Sequence, residues 1–564
     1  MVKGSKQTLG SILSRLVARS KLAPIFIMGM LKKYYNPMFK LNTKHTQTNL
    51  FGFSSLVSAN MLKELQDSEA MKFYDLIFCN IKEEDFACLY SKTDPRPNAP
   101  INCLVSALLL MSKQKLTYER LFENIKFNLL TKIALGLPTL DEVPFSQATI
   151  FNFQNRLSDH FIQSGENLLE KVFDQLTQQQ LKDLKLKTDI QRTDSFQAAS
   201  NIRTYSRLQL LVEMLIRLYR VLSEEDQQHY EALFSGYVKK SSGQFLYRLS
   251  PDELPGEYER IGQVYQQLHD QLSPCYGQVE IVKIFERVYE EHFTVAQEKI
   301  GLKPAEELTS SMLQSPDDLE ATYRKKQGQE YYGQSVNLVE TCHPDNPLNL
   351  ITDLSVHANN IDDSKELTRR IDTIKEKTPD LQELHFDGAY PSTENDKKLE
   401  GHHIRPVQTA IRGRKGEGVK LKIEQRGADQ YVVRCPNQTV ESEPTRKRFK
   451  AEFDLSGCAG CPWASVCQLT KKKTSRVYYF TQEDYLKRKR IAHIQNIPNQ
   501  RRGLRANIEA TVCEFTRKMT NHKVKVRGLF KTQLFAYSVG IGVNFGRIYR
   551  YLSSENQPAA RPNP

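Results

Sequence analysis

No apolar run in the 564 residues approaches the roughly 20 that a membrane-crossing helix needs, so the sequence reads as soluble, with no membrane partner. Ten cysteines are too few for a disulfide scaffold at this length, and that scarcity points to a reducing, cytoplasmic setting. Four of them, Cys435, Cys458, Cys461 and Cys467, crowd into one stretch, together with Trp463, the chain's single tryptophan. Acidic residues are missing altogether from the first fifty positions. A short apolar stretch at 22–31 gives this start a superficial likeness to a targeting peptide, but the basic region before it is too long for a secretory signal. Residues 1–45 are therefore expected to be a basic extension, either disordered or not translated, with Met38 as an alternative start.

What is abundant is positive charge. The chain carries 79 Lys and Arg against 66 Asp and Glu, a net +13. Positions 401–550 alone hold 31 basic against 11 acidic residues, leaving the remainder slightly acidic. Such a concentrated excess predicts a polyanion partner, because each phosphate neutralised by Lys or Arg releases condensed counterions. The length and an ordinary apolar fraction predict a folded protein of two to four domains.

Between 46 and 180 apolar residues recur every three or four positions, as in LVSALLLMSKQKLTYERLFENI and SQATIFNFQNRL, which predicts a helical domain. Ser146 or Thr149 is placed to cap one of its helices. Short capped helices suit helix-turn-helix DNA binding and equally suit a packed bundle. The pattern then switches to alternation in LKLKTDIQRTDSF, a strand expected to end at Asp194. A helical block covers 204–330. Strand signals return in SVNLVETC and NLITDLSVH, then a charged helix, then LQELHFDGAY, a strand ending at Asp387, and a further strand in HHIRPVQTAI. Strand, strand, strand, helix, strand is the ribonuclease-H order. The expected fold is α+β and multi-domain, with a ribonuclease-H-like mixed sheet built from 181–203, 331–414 and 476–552. It is interrupted by the helical insertion at 204–330 and a basic four-cysteine insertion at 415–475, and a polar tail follows at 553–564.

Asp194 and Asp387 at strand ends, with Glu509 on the helical stretch RRGLRANIEATVCEFTRKM, could supply the acids that two-metal phosphodiester chemistry needs, its ions lying about 3.5–4 Å apart, although each taken alone among 66 acids reads as a surface or capping carboxylate. Arg505 lies one helical turn before Glu509, on the same face, where it would pair with that carboxylate or bind a phosphate. Cys435 with CAGCPWASVC offers four thiolates for a tetrahedral zinc, or a cluster of ordinary buried thiols. The basic runs TRKRFK (Arg446, Lys447, Arg448) and KKKTSR (Lys471, Lys472, Lys473) flank that cluster. Lys and Arg there would position phosphates, while neighbouring aromatic rings would stack on bases.

Together these segments resemble the DDE-type transposases of bacterial insertion sequences, in the branch with a helical N-terminal domain and a cysteine-bearing insertion. The likeness runs from about Met38 to Leu552. It is carried by RPNAP, LLLMSKQKLTYERLFENI, SQATIFNFQNRL, QRTDSFQAASNIRTYSRLQLLVE, HFDGAYPS, CPNQTVESEPTRKRFKAEFDLSGCAGCPWASVC and RRGLRANIEATVCEFTRK. The resemblance implies that Asp194, Asp387 and Glu509 hold two Mg²⁺ or Mn²⁺ ions. Asp189 is the one nearby rival, placed earlier on the same strand. It further implies double-stranded DNA as partner, a homodimer when two ends are brought together, and a bacterial nucleoid location. Water would cut at the element's end and the freed 3′-hydroxyl would attack target DNA. Relatives often carry Tyr, Arg, Glu and Lys around the last acid. Here Arg505 and Glu509 keep that spacing, but Arg502 takes the Tyr position and Thr516 the Lys position. Arg502 and Arg505 would face DNA, and Trp463 would either pack the cysteine knuckle or hold a flipped base as in some relatives. A nuclease of the same fold and a catalytically inactive DNA-binding relic are the competing readings.

Overall fold

The computed structural model describes residues 39–47, 52, 57–91, 97–247, 249–296, 299–408, 421–427 and 429–555. Most of the basic extension, the Gly- and Lys-rich stretch after 408 and nearly all of the tail lie outside these. The architecture is mixed α/β, in two units, Met1–Val172 and Phe173–Pro564.

The first unit is helical, as its periodicity predicts. Its helices include Ala59–Asp67, Glu69–Leu76, Ile101–Gln114, Tyr118–Phe127 and Gln147–Ser164. Ser58, Ser68, Thr117 and Ser146 each accept a hydrogen bond from the backbone N–H three residues on, satisfying donors that a helix start leaves free. Ile101–Gln114 is the central helix, buried from Ile101 to Leu110. Pro100 precedes it and offers no side-chain cap, so the buried carboxylate of Glu83 accepts from the N–H groups of Ile101 and Asn102 instead.

The second unit is organised on a six-stranded sheet. Strand β1 (Ile190–Ala199) is followed by the helical insertion, whose hairpin comprises β2 (Phe293–Ala296) and β3 (Lys299–Leu302). Then come β4 (Thr322–Lys326), β5 (Gln329–Thr341), β6 (Ile351–Ala358), the helix Asp363–Lys377, β7 (Glu383–Phe386) and β8 (Arg405–Gln408). The order is β4-β5-β1-β7-β8, with β6 also on β5. β1 runs antiparallel to β5 and parallel to β7, and β7 runs parallel to β8. Gly333 lies where β5 crosses the end of β1, at φ +146°, and a Cβ there would strike the Ala198 carbonyl and the Ser200 amide.

Both faces of the sheet are covered. On β6, Asp353 and Ser355 face the helix Asp363–Lys377, pairing with Arg370 and Glu366, whereas Leu354 faces the long helix Leu529–Glu555. Gly540 lets that helix lie close, since a Cβ there would run into Leu354. Asn544 spans the contact, bonding both the amide and the carbonyl of Ile351 at 2.8 and 2.9 Å.

The block expected to be helical over 204–330 is helical only to His292; the hairpin β2–β3 and the strand β4 complete it. Its own core gathers Leu211, Leu215, Ile261, Tyr265, Phe285 and Val288. The cysteine-bearing insertion is a second six-stranded sheet, which the sequence reading did not anticipate: β9 (Lys422–Gly427), β10 (Gln430–Arg434), β11 (Thr439–Pro444), β12 (Phe449–Asp454), β13 (Thr470–Lys471) and β14 (Ser475–Phe480), in the order β13-β14-β12-β11-β10-β9. β14 belongs to this sheet, which therefore runs on to Phe480, past the expected boundary at 475. Its alternating charged and apolar residues bury one face around Tyr431, Val433, Phe453 and Phe480.

His292 ties the helical insertion together. Its Nδ1 accepts from Arg207 Nε at 3.1 Å, and Arg207 also donates to the carbonyls of His292 and Lys303. Burial, then the charges of Arg207 and Lys303, bring the imidazole down from 6.5 to about 4. A base held below its free value contributes stability that is present above pH 6.5 and lost as pH falls toward 4. Urea unfolding of the chain should therefore show a loss of about 2 kcal/mol between about pH 7 and about pH 5 at this site. His292→Gln should flatten that slope, and an unchanged slope would mean that His292 is not the titrating group.

Candidate active site at the sheet edge

Alternation along β1 sends Arg192, Asp194 and Phe196 to one face, and each of the three holds part of the helix pair Asn499–Ala506 and Ile508–Thr516. Arg192 Nη1 donates to the Leu504 carbonyl at 2.5 Å. Asp194 Oδ2 accepts from Arg505 Nη2 at 2.8 Å. The rings of Phe196 and Phe515 lie 5.5 Å apart. Thus the strand residue that carries the first acid is flanked by two anchors for the helices that carry the last.

Asp194 is not at the end of its strand, contrary to expectation. It is the fifth of ten residues in β1, because the alternation continues through Ala199 as antiparallel pairing with β5. What ends at this level is β7. The parallel register pairs Ile190 with Glu383 and Arg192 with His385, so its continuation sets Asp194 beside Asp387, the first residue after β7. Asp387 is fixed there by a turn in which its Oδ1 accepts from the Ala389 amide at 2.8 Å. The buried Tyr390 hydroxyl then donates to Asn337 Oδ1 at 2.7 Å. Asp189 lies just before β1, near its opposite end, with Oδ2 3.8 Å from His343, and does not join the group.

Glu509 opens the helix Ile508–Thr516 and is the most exposed of the three acids, at 66% against 35% for Asp387 and 12% for Asp194. All three converge on one nitrogen. Arg505 Nη2 lies 2.8 Å from Asp194, 3.8 Å from Asp387 and 3.8 Å from Glu509. Burial pushes the Asp194 carboxyl up to about 6, against the pull of Arg505, and the charges of Asp387 and Glu509 add to the rise. The group is still largely ionised at neutral pH. Among the described residues no three His, Cys, Asp or Glu side chains stand at metal-holding spacing. Even so, three carboxylate donors turned toward one cationic nitrogen are a donor set that fits hard divalent cations.

The helix pair is seated by charges that the sequence reading passed over. Glu340, fully buried on β5, accepts from Arg192, from Arg547 of the C-terminal helix at 2.8 Å and from Thr511 at 2.7 Å. Arg547 also binds Glu514, and Arg501 pairs with the buried Glu383 of β7. The available signal was Glu340 itself, a charge inside the apolar strand SVNLVETC.

The residues Arg446, Lys447 and Arg448 lie at the turn between β11 and β12, and Lys471, Lys472 and Lys473 around β13; all six are exposed. Tyr479 does not present a free ring, for Arg448 lies over it at 3.8 Å and Lys472 at 5.8 Å. The side chain of Arg502 lies outside the described residues. Cys435, Cys458, Cys461 and Cys467 line one cavity with Trp463, which is half exposed, and Arg476. The Gln438 amide donates to Cys435 Sγ at 3.2 Å and its side-chain amide to Cys458 Sγ at 3.6 Å.

Residues 432–549, covering most of the cysteine-bearing sheet, the helices around Glu509 and most of the C-terminal helix, match the family model described as Transposase DDE domain. Residues 61–156, within the first unit, match the model described as Transposase domain (DUF772). The two matches together support a DDE-type transposase of insertion-sequence type. No curated protein and no solved structure matches this chain. No helix among its described residues is long and apolar enough to cross a membrane. Neither family match extends to Asp194 or Asp387, which join Glu509 through the geometry of the sheet.

Removing Glu340 leaves two guanidinium groups buried without their shared acceptor. Glu340→Ala should destabilise the transposase by about 3–5 kcal/mol in urea unfolding. A loss under about 1 kcal/mol would mean that the helix pair is seated by packing rather than by charge.

Proposed function

We propose that this transposase cuts and joins DNA strands at a site formed by Asp194, Asp387 and Glu509, on a sheet of ribonuclease-H type. The observation that carries this reading is the convergence of the three acids on one cationic nitrogen. The sheet order supports it: the three antiparallel strands β1, β5 and β6, with β7 and β8 added parallel beyond β1, follow the ribonuclease-H arrangement. Mg²⁺ or Mn²⁺ held by these carboxylates supplies activation of the attacking oxygen and stabilisation of the leaving one. The chain's own contribution is positional. β1 and β7 fix two carboxylates in register, the Glu340 network holds the third over them, and the basic runs at 446–448 and 471–473 draw the phosphate backbone in.

In the chemistry that follows, water attacks the phosphodiester at the element's end, and the 3′-hydroxyl released there then attacks a target phosphodiester, one bond forming as another breaks. Double-stranded DNA is the partner, with two copies of the chain required when two ends are joined. Strand nicking of DNA bearing the element's ends, in Mg²⁺ or Mn²⁺, should be lost in Asp194→Ala, Asp387→Ala and Glu509→Ala while DNA binding persists. Nicking that survives any one substitution means that acid is not a ligand. No nicking by the parent favours a DNA-binding relic.

The cysteine cavity is proposed to hold a structural Zn²⁺. Its four cysteines line one space, and Gln438 directs two N–H donors at two of the sulfurs, as hydrogen-bond partners of metal-bound thiolates do. The purified chain should contain one zinc per molecule by metal analysis, and Cys458→Ser together with Cys461→Ser should abolish it. A zinc-free chain that folds normally makes these four ordinary thiols.

A further inference from the structure

Arg192, Arg547 and Arg505 all lie against the face of the sheet that carries Asp194, and they are bound very differently. Arg192 engages Glu340 through Nε and Nη2 and the Leu504 carbonyl through Nη1. Arg547 likewise uses all three nitrogens, on Glu514, Glu340, Thr511 and the Asn349 carbonyl. Among the described residues Arg505 makes a single hydrogen bond, to Asp194, while its other two acids stand off at 3.8 Å. Its Nε is buried and has no hydrogen-bond partner among the described residues. The first two arginines are built into the fold. Arg505 is merely held.

Three carboxylates brought this close, one of them largely buried, repel one another unless a positive charge stands among them. Divalent cations would need the same oxygens that Arg505 faces. Resting on the reading of these acids as metal ligands, we propose that Arg505 is an exchangeable counterion. In the metal-free chain its guanidinium keeps the three acids together, and on cation loading it leaves them and grips a phosphate of the DNA. A planar fork of N–H donors, released from one set of anionic oxygens, suits another such set on phosphate. One side chain then couples metal loading to DNA grip, and the coupling is reciprocal.

Titration of Mn²⁺ into the full chain without DNA tests the first half. Arg505→Gln should bind Mn²⁺ at least tenfold more tightly than the parent, with Arg505→Lys between them. The difference should persist at about 1 M KCl, where screening confines charge effects to about 3 Å, close to direct contact. The second half is read with a fluorescein-labelled mixed-sequence DNA duplex. The parent should bind it more tightly in Ca²⁺ than in EDTA. Arg505→Gln should lose several-fold affinity in Ca²⁺ and none in EDTA. Equal Mn²⁺ affinities overturn the proposal and leave Arg505 as an ordinary ion pair. An equal loss of DNA binding with and without Ca²⁺ overturns it as well, making Arg505 a permanent phosphate contact. No Mn²⁺ binding by the parent or either variant sinks the metal reading of the acids, and this proposal with it.

Discussion

The fully buried carboxylate of Glu340 is the constraint on which the site depends. Placing a charge inside a sheet costs several kcal/mol unless it is paired and hydrogen-bonded. Here the compensation comes from three distant parts of the chain: Arg192 on β1, Arg547 on the last helix and Thr511 on the helix that bears Glu509. Each partner would be poorly placed without the others. Apolar packing alone would tolerate sliding of the helix over the sheet, whereas a carboxylate with directed bonds to three groups does not. The placement of the three acids is thus set by a residue on the neighbouring strand β5.

A division of labour among charges follows. The saturated arginines at 192 and 547 are structural, and Glu383 plays the acidic counterpart on β7 with Arg405 and Arg501. The exposed cations at 446–448 and 471–473 are free to meet a polyanion, though Arg448 and Lys472 also lean on Tyr479. At positions 194, 387 and 509 three carboxylates crowd around a single guanidinium. A raised carboxyl such as Asp194 reports that crowding together with its burial.

Much of this was legible from residues alone. Periodicity marked the helices of the first unit, and of the two candidate caps Ser146 and Thr149 it is Ser146 that caps its helix. Alternation found β1, β5, β6 and β7, and the four-residue spacing correctly put Arg505 beside Glu509. The position of Asp194 along its strand was misread because alternation shows that a strand exists and cannot show which neighbour stops first. The second sheet went unseen for a related reason. Its strands are short and studded with Lys, Arg and Glu, so their alternation was submerged in the charge that drew attention to the segment. Glu340 was invisible as an anchor, since its partners lie 148 and 207 positions away.

The helical insertion and the second sheet, both spliced between strands and helices of one site, have a consequence for the chain's first minute of existence. Asp194 emerges from the ribosome more than three hundred residues before Glu509, and Arg547 later still. At roughly 5–20 residues per second, that delay lasts tens of seconds. Throughout it the half-built site holds Asp194, and later Asp387, but neither the third acid nor the Thr511 and Arg547 that seat its helix. Synthesis itself acts as a timer, completing the three-acid site only once the last helix has been made.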